Sequence, residues 1–226
     1  MRLLVISLVL GLVGCGMAEQ RHSTDNVYAP QGSDAGIAFH SSTGWVGAVP
    51  FLVESAAPDQ VIEAAMQAAA SWNDAVGHEV LVFSGVSESN RGESLYESLN
   101  DDLTIVYYEA DWFDTTGKSK STLATTVWEN APGSDQIIKG DIVLNAEVYM
   151  YQDSTEPAID KEKSSYMVDT ETVLLHEFGH LLGLDHVSED DDAESIMHAK
   201  TFIGAYMYAR NLSDDDVANI GSLYNK

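Results

Sequence analysis

The 226-residue chain has 36 acidic residues against 11 basic ones, which gives it a formal net charge of −25. Its 45% hydrophobic content is enough to bury a full core, and this length favours one domain of ordinary size. An acidic surface repels phosphate backbones and anionic lipid head groups, so nucleic acid is not expected as a partner.

The first residues predict export. An apolar run follows the basic Arg2 and is too short to span a membrane as a helix. The run ends in the letters LVGC, which resemble a bacterial lipobox. We therefore expect residues 1–14 to be a lipoprotein signal peptide and Cys15 to be lipidated; the alternative is an ordinary signal peptide with an incidental cysteine. Lipidation would hold the protein in the cell envelope, outside the cytoplasm, by the lipid anchor alone.

Cys15 is the only cysteine in the chain, so an intramolecular disulfide and a cysteine-rich zinc site are both excluded. Residues 15–44 are polar and rich in Gly, Pro, Ser and Asp, which predicts a flexible tether ahead of a domain at residues 45–226. The domain opens with a predicted strand at residues 46–55. A helix should follow at residues 57–77, because apolar side chains recur there at helical spacing: Val61, Ile62, Ala65, Met66, Ala69 and Trp72.

The middle of the chain predicts β-structure and its end predicts two helices. Residues 80–86, 103–112, 122–129 and 141–150 are rich in strand-forming residues, with loops at 87–102 and 130–140. A helix is expected from about Thr170 to Gly183 with Asp169 as its N-cap, and another at residues 212–224 with Ser213 as its cap. This order of elements predicts an α+β fold with a mixed sheet.

The stretch HEFGHLLGLDH carries the main chemical signal. On a helix, His176 and His180 lie one turn apart on the same face, so both imidazoles can reach one metal ion. Gly183 permits a left-handed turn that could return His186 as a third ligand, and Glu177 could then hydrogen-bond a water in the fourth position. The alternatives are an amphipathic helix that carries three histidines, or an intact motif without activity.

With these residues the chain resembles the metzincin clan of zinc endopeptidases, and most closely the catalytic domain of matrixins. Met197 in ESIMHAK matches the methionine of the family's Met-turn, and residues 58–76 and 212–224 resemble its first and last helices. The resemblance covers about residues 45–224. It implies a metzincin fold with a mixed twisted sheet, one catalytic zinc on His176, His180 and His186, and Glu177 as general base.

The same resemblance implies a protein or peptide substrate that lies antiparallel to an edge strand, which we expect at residues 122–129. The alternative function is that of a noncatalytic, zinc-containing envelope lipoprotein that binds a protein partner. Because ligation of zinc needs only the histidines, the presence of Glu177 favours catalysis.

Several positions depart from the family. Ala199 stands where astacins have a tyrosine that can ligate zinc, and the letters HAK at residues 198–200 replace the proline and tyrosine common in matrixins. No histidine lies between His78 and His176, so a second, structural zinc is not expected, and Cys15 is poorly located to block the metal. Calcium is an alternative to plain solvation for the acidic run at residues 189–192, and for the oxygens of Asp141, Asn145, Glu147 and Asp153.

Overall fold

The computed structural model of the chain describes residues 21–23, 40–89, 91–156, 165–188 and 190–226. The predicted signal peptide, the lipidation site Cys15 and most of the predicted tether lie outside these residues, as does Glu189 of the acidic run. Within the described part of the chain, every helix is too short or too polar to cross a lipid bilayer.

Eight strands and four helices make up the described structure, together with a single 3-10 turn at Glu97–Asn100. The strands are β1 (Arg21–Ser23), β2 (Val49–Glu54), β3 (Leu81–Ser87), β4 (Ile105–Glu109), β5 (Ala124–Asn130), β6 (Ile137–Asn145), β7 (Met150–Gln152) and β8 (Met167–Asp169). The helices are α1 (Asp59–Val76), α2 (Trp112–Thr116), α3 (Thr170–Leu182) and α4 (Asp214–Tyr224). The predicted α+β class is confirmed.

The main sheet has the strand order β1-β5-β6-β4-β2-β3. The pairs β2–β3, β2–β4 and β4–β6 are parallel, whereas β5 runs antiparallel to β6 and β1 runs antiparallel to β5. Strands β7 and β8 form a separate parallel pair. Every residue of β5 is buried, as expected for a strand covered on both faces.

Helices α1 and α3 pack on one face of this sheet and on each other. The shared core includes Val61 and Trp72 of α1, Phe178 and Leu181 of α3, and Ile142 of β6. The Nε1–H group of Trp72 donates to the Leu175 carbonyl at 2.8 Å, so the indole joins the two helices by a hydrogen bond as well as by packing. The helix that carries two of the predicted ligands is therefore fixed at the centre of the core.

The predicted helix ends are largely confirmed. Helix α1 stops at Gly77, which has a φ of 82°, but the predicted start at residue 57 is two residues early, since Pro58 is the N-cap residue and Asp59 begins the helix. In α4 the side chain of Ser213 accepts from the Asp216 N–H while the Asp216 carboxylate accepts from the Ser213 N–H, which forms a capping box.

Three middle-chain predictions were wrong in extent. The predicted strand at 103–112 ends at Glu109, and Trp112 instead begins α2, because its indole packs on Ile105 and Val143 on the far face of the sheet. The predicted loop at 130–140 ends early, since Ile137 is buried and pairs with Asn130.

The predicted strand at 141–150 breaks at Asn145. The side chain of Asn145 donates to the Thr122 carbonyl at 2.7 Å and accepts from the Val148 N–H at 3.2 Å. These hydrogen bonds turn the chain away from the sheet. Met150 then begins the separate strand β7.

Part of the predicted tether belongs to the folded domain. Strand β1 pairs with β5, with Arg21 opposite Glu129 and Ser23 opposite Val127. The N–H groups of His40 and Ser41 both donate to the Gly183 carbonyl, at 3.1 and 3.3 Å. The described structure therefore contains parts of residues 15–44 that the composition alone assigned to a flexible segment.

Candidate metal centre and cleft

Helix α3 begins at a strong cap. The Asp169 carboxylate accepts from the Thr172 N–H at 2.9 Å and from the Thr172 hydroxyl at 2.7 Å, as predicted for an N-cap aspartate. The helix is buried along almost its whole length, with Glu171 as the one residue of α3 that is not fully buried. The histidine-bearing face is thus held by packing on every side.

Helix α3 ends at Gly183, where the backbone has a φ of 112°. The Leu184 N–H donates back to the Gly179 carbonyl at 2.9 Å, so the chain turns sharply off the helix axis. This turn brings His186 back toward the two helical histidines, as the sequence predicted.

One nitrogen from each of His176, His180 and His186 lies within 4.8 Å of the other two. The Nε2 atoms of His180 and His186 are 3.1 Å apart. Nitrogens that share a tetrahedral zinc at about 2.0–2.1 Å stand roughly 3.3 Å from each other, so this spacing suits a shared ion. Among the residues that the structure describes, these three side chains form the one group with such spacing.

The Nδ1 atoms of the two helical histidines are both hydrogen-bonded to backbone carbonyls. Nδ1 of His176 lies 2.7 Å from the Ile196 carbonyl, and Nδ1 of His180 lies 2.8 Å from the Leu184 carbonyl. A carbonyl only accepts, so each Nδ1 carries the proton and each Nε2 presents a lone pair. The buried Nε2 of His176 has no hydrogen-bond partner among the described residues. An unpartnered buried nitrogen that points at two other histidines fits a metal ligand.

The electrostatics of the cluster also favour neutral imidazoles. Burial, assisted by the neighbouring His186, lowers the pKa of His176 to about 3. Burial and the nearby His176 lower the pKa of His180 well below its ordinary value. Both side chains therefore remain in the form that binds a metal ion.

Glu177 follows His176 in α3 and is fully buried. Its Oε2 atom accepts a hydrogen bond of 2.6 Å from the hydroxyl of Thr126, which lies on β5. The sequence predicts a strand that includes Thr126 but does not pair it with Glu177, because the two residues stand 51 positions apart.

Met197 is 1% exposed and packs against Gly179, which lies between His176 and His180 in the sequence. Its turn is held by Asp216 of α4, whose carboxylate accepts from the Ser195 hydroxyl at 2.6 Å and from the Ile196 N–H at 2.9 Å. The same Ile196 offers its carbonyl to Nδ1 of His176. Ile196 therefore connects the capping box of α4 to the imidazole ring of His176.

A cavity of about 500 Å³ opens beside His176. Its wall includes His198, Ala199 and Lys200, the positions where the chain departs from the family pattern. His198 lies outside the three-histidine group, and its Nε2 atom is hydrogen-bonded to the Asp192 carbonyl. Apolar side chains supply much of the remaining wall: Leu123, Val173, Ile196, Phe202, Ile203 and Leu212.

Arg210 stands between Ala209 and Asn211, which line the cavity, and its guanidinium reaches the start of α3. Its Nε atom donates to Asp169 Oδ1 at 3.0 Å and its Nη2 atom to Asp169 Oδ2, while Asp153 and Glu171 are ion-paired to the same guanidinium. Burial alone would raise the pKa of Asp169, but hydrogen bonds from Arg210 and Thr172 hold it below its ordinary value. The sequence did not predict this cluster.

The four oxygen-bearing residues considered for calcium do not converge. Asp141 accepts from the Ile105 N–H, Asn145 bonds backbone groups near Thr122, Glu147 pairs with Lys120, and Asp153 pairs with Arg210. Each of these side chains contacts a different protein partner, and calcium at this place stays a prediction.

With this geometry in view, comparison with known proteins identifies the class. The family profile described as Matrixin matches residues 52–225, so the chain belongs to the matrixin family. A curated relative, metalloendoproteinase 4-MMP of Arabidopsis thaliana, is 45% identical over 65 residues, which are 29% of this chain and 18% of that protein. The chain therefore spans less than a fifth of the length of the curated relative that it matches.

Two solved structures are also similar. Metalloproteinase-II from Bacteroides fragilis aligns at 15% identity and a TM-score of 0.42, over 79% of this chain and 53% of that one. High choriolytic enzyme 1, a hatching enzyme zinc-protease from the medaka fish Oryzias latipes, aligns at 15% identity and a TM-score of 0.40, over 85% of this chain and 99% of that one.

Proposed function

We propose that this protein is a zinc-dependent endopeptidase that hydrolyses peptide bonds in proteins. The observation that carries the proposal is the convergence of His176, His180 and His186 beside a cavity, within a chain of the matrixin family. The Nε2 atoms of His176 and His180 would hold one zinc together with a ring nitrogen of His186. When bound, zinc polarises a water molecule and lowers its pKa to about 7.

Glu177 is proposed as the general base. Its side chain follows His176 directly in the sequence, and in its ionised form it is a hydrogen-bond acceptor only. It would take a proton from the attacking water and later return that proton to the leaving amine. Met197 packs beneath the site and takes part in no proton transfer.

The peptide is proposed to lie antiparallel along β5, with one side chain in the cavity beside His176. Leu123, which lines that cavity, directly precedes β5, and Thr126 of the same strand contacts Glu177. In the described sheet β1, not β5, is the outer strand, and it pairs antiparallel with β5 at Val127–Glu129. The peptide would therefore lie along the Ala124–Thr126 part of β5, beside the cavity. The apolar cavity wall favours an apolar side chain on the substrate.

The membrane attachment is a separate proposal. The lipobox-like sequence before Cys15 supports a lipidated N-terminus and a location in the cell envelope, outside the cytoplasm. Replacing Cys15 with Ser should release the protein from membranes, and unchanged membrane association would refute lipid attachment.

The proposed activity is tested with a quenched-fluorescence peptide library and purified protein. Cleavage should be lost on adding a chelator, return with Zn²⁺, and be lost in Glu177→Ala while that variant still binds zinc. Equal cleavage by Glu177→Ala would refute the assigned base. A wild-type protein that binds stoichiometric zinc and cleaves no peptide would refute the peptidase function and favour the noncatalytic, partner-binding alternative.

A further inference from the structure

The hydroxyl of Thr126 makes two close approaches to Glu177. Its Oγ1 atom lies 2.6 Å from the carboxylate oxygen Oε2 and 3.1 Å from the Glu177 backbone carbonyl. A hydroxyl has one proton to donate, and an ionised carboxylate is the stronger acceptor. Both residues are fully buried, with 0% of their surface exposed, so water does not compete for this hydrogen bond.

From this contact we infer that Thr126 is a positioning residue for the proposed general base: its hydroxyl holds Oε2 and so limits the orientations in which the carboxylate can meet the attacking water. The inference rests on the proposed peptidase function. A glutamate side chain has three rotatable bonds, and a general base must lie within hydrogen-bond reach of the proton that it accepts. A fixed Oε2 removes most of this freedom before substrate arrives.

The position of Thr126 in the fold gives the contact a second consequence. Thr126 lies in β5, the strand along which the peptide is proposed to bind, and its neighbour across the ladder is Ile142 of β6. One side chain therefore connects the substrate-binding strand to the base. A peptide that settles correctly on β5 finds the carboxylate already oriented, whereas a displaced β5 carries the base out of line.

A purely structural role predicts a different pattern. If the hydroxyl only satisfied a buried polar group, its loss would lower stability and zinc content, and kcat would not fall more than these losses explain. If it orients Glu177, its loss should lower kcat far more than it raises KM, because the interaction is needed for reaction rather than for peptide binding.

The test compares Thr126→Val, which removes the hydroxyl at nearly constant volume, with Thr126→Ser, which keeps it. Thr104→Val, at a buried threonine next to β4, is the matched control for loss of a threonine hydroxyl elsewhere in the sheet. We expect Thr126→Val to lower kcat on the order of tenfold to a hundredfold, with KM changed less than about twofold and zinc content unchanged. Thr126→Ser should keep kcat within about threefold of the wild type, since it retains the hydroxyl.

A second measurement does not depend on activity. In the zinc-free protein, the urea midpoints of Thr126→Val, Glu177→Ala and the double variant report whether the two side chains interact. We expect the double variant to unfold close to the midpoint of the worse single variant. Additive shifts would show that the contact does not form and would overturn the inference.

The outcomes separate the two proposals. A wild-type protein that cleaves no peptide refutes the peptidase function itself. A wild type that cleaves, with Thr126→Val equally fast, refutes only the role of Thr126. A Thr126→Val variant that loses zinc and activity in parallel also refutes that role, because the hydroxyl would then be structural.

Discussion

Gly179 of helix α3 and Met197 are in direct contact. A Cβ atom at position 179 would overlap Sδ of Met197 and lie 3.0 Å from Cζ2 of Trp72. Gly179 stands between the two helical ligands in the sequence, so the methionine packs against α3 at the level of the site. The absence of a side chain at 179 is what allows the Met-turn to approach the helix so closely.

Gly179→Ala should therefore destabilise the protein. Helix propensity alone favours alanine, but forcing a methyl group into this contact should cost about 1–3 kcal/mol. Urea denaturation and zinc titration measure the effect, and we expect both stability and zinc affinity to fall. Gly221→Ala in α4 is the matched control, because a Cβ there meets Asn225 Nδ2 only at an ordinary 3.5 Å. The control should be neutral or stabilising; equal losses in the two variants would contradict this explanation.

Zinc should stabilise the fold by mass action. An ion that binds the native state alone adds about 4 kcal/mol to the free energy of unfolding at a thousandfold excess over its dissociation constant. We expect a chelator to lower the urea midpoint of the wild type and Zn²⁺ to restore it. His176→Ala should show no such response, because a ligand is missing. A midpoint indifferent to zinc in the wild type would argue against a bound ion at the three histidines.

Arg210→Met should loosen both the start of α3 and the cavity wall. The side chain of Asp169 is 1% exposed, so loss of its guanidinium partner leaves a buried charge and should cost about 3 kcal/mol. Lys120→Met is the control, since the Lys120–Glu147 pair lies near the surface and should matter by less than about 1 kcal/mol. Urea melts at neutral pH compare the two variants, and similar losses would refute the importance of the Arg210 cluster.

The same cluster predicts an acid-side effect. The pKa of Asp169 is held below its ordinary value in the folded protein, so its contribution to stability is present above the unfolded pKa near 4 and is lost as the pH falls through the lower, folded pKa. The difference in stability between wild type and Arg210→Met should therefore shrink below about pH 4. A constant difference across that range would contradict the assignment.

Asp141 predicts the opposite dependence. Burial raises its pKa to about 7, although a hydrogen bond from the Ile105 N–H partly opposes the rise. A carboxyl group with a raised folded pKa stabilises the protein fully below its unfolded pKa near 4, and that contribution is lost as the pH rises to about 7. Asp141→Asn keeps an acceptor for the Ile105 N–H. As the pH rises from 4 to 8, its free energy of unfolding should increase relative to that of the wild type by roughly 2–4 kcal/mol.

Denaturation of Asp141→Asn across that range is compared with Asp74→Asn, which removes the same charge from an exposed site on α1. The control should show little dependence on pH. If the stability gained by Asp141→Asn does not change with pH, folding does not raise the pKa of Asp141.

The features that the sequence predicts well are local. The caps Asp169 and Ser213, the glycine ends of α1 and α3, and the spacing of the three histidines all depend on residues within a turn or two of each other. Hydrogen-bonding side chains, left-handed glycines and helical periodicity fix these features without knowledge of the rest of the fold.

The features that the sequence does not predict depend on distant partners. Thr126 meets Glu177 only because β5 lies over α3, and Arg210 meets Asp169 only because the cavity wall returns to the start of that helix. Strands β1, β7 and β8 have three residues each, too few for an alternating pattern to appear. Their positions are decided by pairing across the sheet, which composition does not reveal.

Strand β1 also affects the tendency of the protein to self-associate. An uncovered outer strand offers a row of backbone N–H and C=O groups to any extended chain, including that of another copy of the protein. Along Val127–Glu129 the chain covers this row with its own residues Arg21–Ser23. A protein shortened to begin at His40 would expose that edge, so it should self-associate more readily as its concentration rises, while the longer chain remains dispersed.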